Sequence, residues 1–376
     1  MSKKAFLIFV EFEGINSNKY YNMELVDSTI HVEYGRVGST KSIVTYPASK
    51  WDSLIRSKVK KGYKDITDLK REVTVVVKKS DNKPFNEFYD HFAKYTGDFI
   101  NKHYNVEGCT KSQIDEAQKI INHIVSVDDL TNINKSLVEL FKIIPRKMDN
   151  VKDYLLGNVE FKNSIITREQ TSLDSMDSMN IINTENPFDN LDIEFEEVDF
   201  PITISTLINK TNSTRYKPYK CYRIVDKTNI TSFNEWANKQ DNKNFEHLIH
   251  GTRNPNVFNI LKTGLLIRPS NAAVISGAAY GEGVYHSAHA AKSMNYTGSN
   301  SDKIFFIQNV HMGKPYTYNG WYTPGKDLDR SKMNYKDLKG MGYDSLYVKP
   351  GDGLQNSEYI VYNKEQTITD YLVWLK

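Results

Sequence analysis

Cysteine is scarce in this sequence, and its scarcity excludes two classes of site. The 376 residues include 2 cysteines, Cys109 and Cys221, and neither belongs to a Cys-x-x-Cys pair. A zinc finger needs closely spaced ligands, so this pattern excludes one. Two isolated cysteines also argue against a disulfide framework. We therefore expect the protein to work in a reducing, intracellular compartment.

Long apolar runs are also missing. No run approaches the roughly 18 residues that a membrane-spanning helix needs, so we expect no membrane partner. The first residues, MSKKAFLIFVEFEG, combine lysines with a short apolar stretch, as a signal peptide does. However, Glu11 and Glu13 interrupt that stretch and no small-residue cleavage site follows. We interpret it as a first β-strand.

Basic residues are absent from one stretch and abundant in another. Residues 169–209 carry about ten acidic side chains and no lysine or arginine, whereas residues 1–83 carry about six more basic than acidic side chains. This split favours an amino-terminal module that binds a polyanion. The acidic segment is also rich in Asn and Ser, and we interpret residues 165–200 as a loop or a partly disordered insert.

The amino-terminal region predicts a small β-sheet that carries one helix, over residues 1–70. The strand-like segments, which are punctuated by glycine or turn residues, are 4–13, 20–34 and 34–47. Residues 49–63 have helical spacing of Trp51 and other apolar residues. Ser49 is the expected cap of this helix, and Gly62 is its expected end.

The rest of the chain predicts two further domains. Residues 84–156 have apolar residues at helical spacing, with Thr110 as a cap and Pro145 as a stop, and indicate a small helical bundle. Residues 157–200 form the acidic insert or linker. Residues 201–376 alternate strand-like and glycine-rich segments, which indicates a mixed β-rich domain. The fold class is therefore α+β and multidomain.

A set of side chains in the last third of the chain suits one kind of chemistry. The set is His250, Tyr285, Ser293, Tyr296 and Glu358. The two tyrosines are suited to hold a flat ring between aromatic faces, and His250 to hydrogen-bond a sugar hydroxyl. Glu358 is suited to stabilise an oxocarbenium-like cation.

Polar groups beside these residues complete the predicted site. Gly251 has no side chain, so a ligand can reach its backbone N–H and C=O, and Ser293 supplies a hydroxyl beside it. Taken singly, each residue has an ordinary structural interpretation, such as a turn at His250-Gly251 or a strand aromatic at Tyr285. The prediction rests on the complete set in this order.

Four motifs surround the set: HGTR (250–253), GVYH (283–286), KSMNY (292–296) and SEYIVY (357–362). In this order they resemble the catalytic domain of the poly(ADP-ribose) polymerases, the His-Tyr-Glu branch of the ADP-ribosyltransferases. The family versions read His-Gly-Ser-Arg, Gly-Ile-Tyr-Phe, Lys-Ser-Ala-Asn-Tyr and Asn-Glu-Tyr-Ile-Val-Tyr. RYKPYK (215–220) also resembles a family segment.

The resemblance implies NAD+ as the substrate, no metal, and the ADP-ribosyltransferase fold for residues 201–376. It implies that His250, Tyr285 and Glu358 are catalytic. The residues that it implies for NAD+ binding are Gly251, Arg268, Ser270, Lys292, Ser293 and Tyr296, with Arg268 and Ser270 near the adenosine half.

Some positions depart from the family pattern. Thr252 replaces Ser and keeps the hydroxyl. Gln355 and Asn356 replace an apolar–aromatic pair, and Ala279 replaces a larger residue. In the family these last three positions help to hold the acceptor chain, so polymer synthesis and transfer of a single ADP-ribose both remain open. Diphtheria-like toxins share the triad, but the flanking motifs and the absence of a signal peptide favour the polymerases.

Residues 32–63 resemble the WGR domain, whose Trp-Gly-Arg signature reads Tyr34-Gly35-Arg36 here. Tyr34 keeps a flat ring that can stack on a sugar or base, and Arg36 is placed to meet a phosphate or a neighbouring domain. Basic residues nearby are candidates for phosphate contacts. The predicted DNA-binding residues are Tyr34, Arg36, Lys41, Lys58 and Lys60. Lysine runs are usually solvated helix faces, so this prediction depends on the resemblance.

Residues 84–156 resemble a shortened helical regulatory domain of the same family. Residues 109–121 and 136–148 carry the likeness. In the family this domain blocks NAD+ until DNA binding loosens it. Whether the shortened form keeps this control is open at this point.

The combined prediction is an ADP-ribosyltransferase that DNA ends or nicks stimulate. It transfers ADP-ribose from NAD+ to proteins, itself included, releases nicotinamide and forms poly(ADP-ribose), a chemistry typical of DNA repair. One alternative is a mono-ADP-ribosyltransferase. Another is a non-catalytic scaffold that binds DNA ends. The expected location is the nucleus in a eukaryote, or the cytoplasm or nucleoid in a bacterial or viral setting.

Overall fold

A computed structural model describes most of the chain. The described residues are 3–14, 16–69, 77–104, 109–212, 214–267, 279–318, 333–351 and 354–376. They form two compact units, which we call the first and the second unit. The first unit contains the described residues up to 69 and 97–180, and the second contains 77–96 and the described residues from 181 to the end. Arg268 and Ser270 lie outside the described residues.

A five-stranded antiparallel sheet begins the first unit, in the strand order β4-β3-β2-β1-β5. Its strands are β1 (Lys3–Glu11), β2 (Ser17–Val26), β3 (Thr29–Arg36), β4 (Lys41–Pro47) and β5 (Lys64–Asp65). The predicted β-sheet is thus present, although the segment 20–34 is a hairpin and not one strand. The chain reverses next to Asp27, which has a φ of 53° and so adopts the left-handed conformation that Asp tolerates in turns.

The helix that the sequence predicts on this sheet is shorter than expected. It is α1 (Trp51–Lys60), and Lys50 occupies its N-cap position. The prediction of Ser49 as the cap is wrong, because residues 48–50 form a separate 3-10 turn before the helix. Gly62 follows the end of the helix with a φ of 85°, as predicted. Trp51 is buried in the sheet core with Leu7, Met23 and Val32.

Three helices follow, and all were expected from the apolar spacing. They are α2 (Lys83–His103), α3 (Lys111–Val125) and α4 (Leu130–Ile143). Thr110 forms a capping box with Gln113, which confirms it as the cap of α3. The last helix ends before Ile144, whose φ of −119° and ψ of 89° are not helical, because Pro145 disfavours helical angles in the residue before it.

The interpretation of residues 165–200 as a loop is wrong. A 21-residue helix, α5 (Lys162–Ile182), occupies most of this segment. Its apolar side chains Ile166, Leu173 and Met176 are buried. Ser172 and Ser175 donate to the carbonyls four residues earlier, at 3.0 and 2.8 Å. Polar composition therefore did not prevent a helix here, because hydroxyls such as those of Ser172 and Ser175 find partners in the preceding turn of the helix.

The second unit continues with a short helix and a strand that the acidic composition also concealed. These are α6 (Pro187–Leu191) and β6 (Ile193–Val198). On β6, Ile193 and Phe195 are buried. The acidic side chain of Glu196 instead faces Arg223 of the next strand, at 2.7 Å. Glu194 and Glu196 thus lie on the exposed face of an edge strand.

Two sheets form the core of the second unit. One is antiparallel with the order β6-β7-β14-β10-β8, and the other has the order β11-β12-β13-β9. Their strands are β7 (Pro218–Asp226), β8 (Phe245–Thr252), β9 (Val284–His286), β10 (Lys303–His311), β11 (Pro315–Tyr318), β12 (Ser345–Val348), β13 (Glu358–Val361) and β14 (Thr367–Leu375). The helices are α7 (Ile202–Asn209), α8 (Ile230–Asn238), α9 (Val257–Thr263), α10 (Ala290–Met294) and α11 (Tyr335–Gly340). This is the mixed, β-rich architecture that the sequence predicts.

The first part of α2, residues 83–96, belongs to the second unit. Phe88 lies in an aromatic cluster there, with ring centroids 5.2 Å from Phe195 and 5.5 Å from Tyr222. Phe92 contacts Trp374 at 5.0 Å. None of the helices in the described residues is both long and apolar enough to cross a membrane.

Candidate active site

The two sheets of the second unit meet where β8 and β9 approach each other. Ile249 and Ser287 exchange backbone hydrogen bonds of 2.8 and 2.9 Å across this junction. His250 follows Ile249, and its Nδ1 lies 3.0 Å from the carbonyl oxygen of Tyr285. The junction therefore brings two of the predicted catalytic residues together.

The contact with Tyr285 defines the tautomer of His250. A carbonyl oxygen only accepts, so Nδ1 carries the hydrogen and Nε2 is left as an acceptor in the neutral ring. Burial lowers the pKa of His250, which keeps the ring neutral. In this state Nε2 is able to accept a hydrogen bond from a sugar hydroxyl.

Gly251 lies against α10, the helix that carries Ser293. A Cβ atom at Gly251 would lie 2.0 Å from the carbonyl oxygen of Ser293, so no other residue fits without moving the helix backbone. Ser293 is buried, and its hydroxyl lies 3.4 Å from the carbonyl oxygen of Ile249. The glycine thus places the KSMNY helix directly beside the end of β8.

Glu358 is the first residue of β13 and is 8% exposed. Its Oε1 lies 2.7 Å from Nζ of Lys292 on α10. The same ammonium donates to the carbonyl oxygens of Asn356 and Ser357, at 3.1 and 3.2 Å. Burial lowers the pKa of Lys292, and the Glu358 carboxylate opposes this shift. The carboxylate is therefore held in one place by a cation that also fastens its strand.

Two tyrosines flank this carboxylate. Burial raises the pKa of Tyr285 and of Tyr296, and the charge of Glu358 contributes to the rise at both. Tyr285 is half-buried in the middle of β9, whereas Tyr296 is 53% exposed. The arrangement gives two aromatic side chains and one negative charge close together, with one aromatic open to solvent.

One residue of the site was not singled out from the sequence. His286 stands where the family motif has Phe, and it is buried with Nε2 3.3 Å from the hydroxyl of Thr367. Its ring lies at 69° to that of His250, with the centroids 6.3 Å apart. Burial lowers the pKa of His286 to about 3. The sequence did offer one signal for His286, namely that a histidine replaces the phenylalanine of the family motif.

The predicted DNA-binding residues lie in the first unit and have different surroundings. Arg36 donates to the carbonyl oxygens of Asn16, Met148 and Asp149, and Lys41 pairs with Glu33 at 2.8 Å. Lys60 is exposed. The contacts of Arg36 with residues 148–149 match the alternative of a neighbouring segment, and its role in DNA binding stays a prediction.

Tyr34 and Lys58 lie together on the same unit. Nζ of Lys58 is 5.9 Å from the ring centroid of Tyr34, and 3.9 and 5.1 Å from those of Tyr21 and Tyr63. The side chain of Tyr34 is 39% exposed. Burial lowers the pKa of Lys58, and Lys61 and Lys19 add to the shift.

Comparisons with known proteins identify the family. Residues 199–376 match the model of the poly(ADP-ribose) polymerase catalytic domain. The chain is 45% identical over 157 residues to the poly(ADP-ribose) polymerase-like protein 100L of Invertebrate iridescent virus 6, an alignment that covers 42% of this chain and 85% of that protein. It is 24% identical over 311 residues to poly(ADP-ribose) polymerase 1 of Gallus gallus, which covers 71% of this chain and 30% of that protein. It is 29% identical over 163 residues to the mono-ADP-ribosyltransferase PARP3 of Gallus gallus, over 36% of this chain and 30% of that protein.

The 100L alignment combines 45% identity with 85% coverage of that protein. The catalytic-domain match, residues 199–376, contains every strand of both sheets except the edge strand β6. These matches support an NAD+-dependent enzyme over the alternative of a non-catalytic scaffold. The chain belongs to the poly(ADP-ribose) polymerase family and is an NAD+ ADP-ribosyltransferase.

Proposed function

We propose that DNA breaks stimulate this enzyme, and that it transfers ADP-ribose to protein side chains, its own included, and extends the product into poly(ADP-ribose). The buried Glu358 carboxylate, 2.7 Å from Lys292 and flanked by Tyr285 and Tyr296, is the observation that carries the proposal. A fixed negative charge beside aromatic faces suits the cleavage of a bond between a ribose and an aromatic base.

The proposed roles follow from the groups at the site. Tyr285 and Tyr296 hold the nicotinamide ring, while Gly251 and Ser293 hydrogen-bond its amide. Nε2 of His250 accepts a hydrogen bond from the adenosine ribose. The bond between C1′ of the nicotinamide ribose and the ring nitrogen breaks, and nicotinamide leaves with the electron pair.

Glu358 acts on both sides of this step. It accepts a hydrogen bond from the 2′-hydroxyl of the nicotinamide ribose and stabilises the ribosyl cation. The acceptor oxygen then bonds to C1′, and Glu358 polarises an acceptor hydroxyl, whose proton is released, when a chain is extended. Arg268 and Ser270 are proposed to bind the adenosine half.

The proposed DNA surface is the part of the first unit around Tyr34 and Lys58. An exposed flat ring beside an ammonium suits a nucleic acid, because the ring can stack on a base or sugar and the ammonium can pair with a phosphate. Lys60 is exposed on the same helix as Lys58. Arg36 has three carbonyl partners, so we assign it to holding residues 148–149 rather than to DNA.

A labelling experiment tests the proposal. Purified protein is incubated with labelled NAD+, with and without a short 5′-phosphorylated nicked DNA, and the products are separated on a denaturing gel. We expect a smear on the protein itself that increases with DNA. Lys58→Ala should reduce the stimulation by DNA, whereas Lys119→Ala, which removes an exposed lysine from α3 of the same unit, should not.

The same gel separates the second candidate function. Ala279, Gln355 and Asn356 replace the family residues that help to hold an acceptor chain, and this favours a mono-ADP-ribosyltransferase. A sharp DNA-stimulated band would support that candidate and contradict polymer synthesis. Equal labelling with and without DNA would contradict the proposed stimulation.

A further inference from the structure

Two tyrosine hydroxyls hold the backbone just before β9. The hydroxyl of Tyr285 accepts from the N–H of Tyr280 at 2.9 Å and donates to the carbonyl oxygen of Gly281 at 2.8 Å. The hydroxyl of Tyr362 donates to the carbonyl oxygen of Tyr280. Residues 280–281 therefore have three of their backbone groups bound by two side chains. We call this arrangement the tyrosine lock.

The backbone of the lock is also fitted closely to its neighbours. Gly281 has a φ of 85°, and a Cβ atom there would lie 2.1 Å from the carbonyl oxygen of Met333. A Cβ atom at Gly283 would lie 2.5 Å from Cγ2 of Ile360. The segment from Tyr280 to Tyr285 thus has other chain segments against it at both glycines.

The register of β13 connects the lock to the catalytic carboxylate. Tyr285 pairs with Ile360 across the β9–β13 ladder. Side chains two residues apart in a strand lie on the same face, so Glu358 and Ile360 share one face of β13. Tyr362 follows the last residue of the strand and packs in the same core cluster as Ile360. The same stretch of chain therefore carries the carboxylate at one end and the lock hydroxyl at the other, on either side of the residue that pairs with Tyr285.

The tyrosine lock is buried, so a hydrogen bond lost there is not replaced by water. Tyr280 and Tyr362 are 3% and 6% exposed, and both belong to a core cluster with Leu346 and Ile360. A phenylalanine at position 362 would leave the Tyr280 carbonyl without this donor in a buried place. Such a loss favours a shift of the backbone towards another partner.

We propose that Tyr362 is a positioning residue for nicotinamide. It fixes the backbone of Tyr280 and Gly281, which holds the Tyr285 hydroxyl and so orients the ring of Tyr285 beside Glu358. This inference rests on the proposed role of Tyr285 in stacking on nicotinamide. It assigns to Tyr362 an effect on the nicotinamide half of NAD+ and none on the ADP-ribose half.

The variant Tyr362→Phe tests the proposal. The release of nicotinamide from NAD+ is measured with added nicotinamide or added ADP-ribose as the competitive inhibitor. We expect the KM for NAD+ and the inhibition constant of nicotinamide to rise together, by about fivefold to tenfold, with kcat within about twofold. The inhibition constant of ADP-ribose should stay within about twofold. A general loss of structure would instead raise both inhibition constants, and that result would overturn the proposal, as would no change in either.

A matched control and a second variant keep the test decisive. Tyr318→Phe removes a hydroxyl from the same core cluster, where its ring lies 5.7 Å from that of Tyr280, and should leave both inhibition constants unchanged. If Tyr362→Phe does not fold, Tyr285→Phe removes the other lock hydroxyl and keeps the ring. It should raise the inhibition constant of nicotinamide but not that of ADP-ribose. An unchanged inhibition constant of nicotinamide would contradict the lock.

Hydrogen exchange separates this inference from the proposed function. The N–H of Tyr280 should exchange faster in Tyr362→Phe than in the wild type, because the lock is loosened whether or not turnover occurs. Slow exchange in both would overturn the lock even if wild-type protein released nicotinamide. Wild-type protein that failed to release nicotinamide while Tyr280 exchanged as expected would count against the stacking role, and the nicotinamide effect of Tyr362 would fall with it.

Discussion

Glu358 and its partner Lys292 lie 66 positions apart in the sequence, yet their charged atoms lie 2.7 Å from each other. The sequence indicated each residue through its motif. The ion pair itself depends on how α10 and β13 are placed, which no local pattern records. The tyrosine lock and the buried His286 were missed for the same reason, because burial is decided by distant segments.

At the catalytic carboxylate, Glu358→Gln keeps the shape of the side chain and removes the charge. We expect nicotinamide release to fall by about 10²–10³-fold, because the developing cation loses its electrostatic partner. Chromatography of released nicotinamide under single-turnover conditions measures this. Glu246→Gln, at a half-buried glutamate on β8, is the control and should retain its rate. A loss of less than about tenfold at Glu358→Gln would contradict the proposed cation stabilisation.

The pH dependence of stability in the first unit should include a contribution from Asp174 on α5. Burial raises the pKa of Asp174 to about 6, and a hydrogen bond from Gln170 opposes the rise. Because the folded pKa is the higher one, the fold favours the protonated acid. This contribution is fully present below about pH 4 and is lost as the pH rises through about 6.

Asp174→Asn keeps an oxygen for Gln170 and removes the charge. We expect it to stabilise the first unit at pH 7 by on the order of 1 kcal/mol, and to have little effect below about pH 4. Urea unfolding at the two pH values measures the difference. Asp115→Asn, at a residue of α3 that pairs with Lys111 at 3.4 Å, is the control and should not stabilise. An equal gain from Asp174→Asn at both pH values would show that charge is not the cause.

Among the elements, α5 shows where composition misleads. Its many acidic and small polar residues indicate a loop when they are counted along the sequence. In the structure Glu169 is 3% exposed and forms a buried pair with Arg146, whose Nη1 lies 3.2 Å from Oε1. The partner follows α4 and so lies outside the acidic segment. A count of residues within the acidic segment therefore cannot reveal this ion pair. The helices α3 and α4, by contrast, are predictable because their caps and apolar spacing are local.

The buried pair fastens α5 to the segment after α4, so breaking it should destabilise the first unit. We expect Arg146→Met to lower the free energy of unfolding by about 3 kcal/mol, because the buried Glu169 then keeps only the partly exposed Arg168 as its cation. Arg168→Met is the control, since Arg168 is 39% exposed at its side chain and should cost much less. Combining Arg146→Met with Glu169→Leu should recover most of the loss, and a double variant as unstable as the single one would contradict this explanation. Chemical denaturation measures all three.

For the whole molecule, the structure places a boundary where the sequence did not. Residues 84–156 were predicted as one helical domain, a boundary that remains a prediction. The structure assigns the first part of α2 to the second unit, together with the catalytic sheets. Helical periodicity identifies α2 but not the residues against which its apolar face packs. The structure supplies these packing partners, because Phe88 of α2 lies in an aromatic cluster with Phe195 and Tyr222.

The stability of the catalytic unit should therefore depend on this helix. We expect Phe88→Ala to cost about 3–5 kcal/mol and to increase hydrogen exchange in β7 and β14. Phe99→Ala, on the same helix but in the first unit, should leave exchange in those strands unchanged. Exchange of peptides from the second unit, measured by mass spectrometry, distinguishes the two variants. Unchanged exchange in Phe88→Ala would mean that α2 does not support the catalytic sheets.

The ion pair between Lys292 and Glu358 has a consequence for inhibitor chemistry. The protein already supplies the carboxylate with one ammonium group, in a place that is 8% exposed at Glu358. A compound with a basic amine at that position must either displace Lys292 or put two cations together. A neutral amide that occupies the ring position avoids this conflict. Selective inhibitors of this enzyme should therefore carry no positive charge on the side that faces β13.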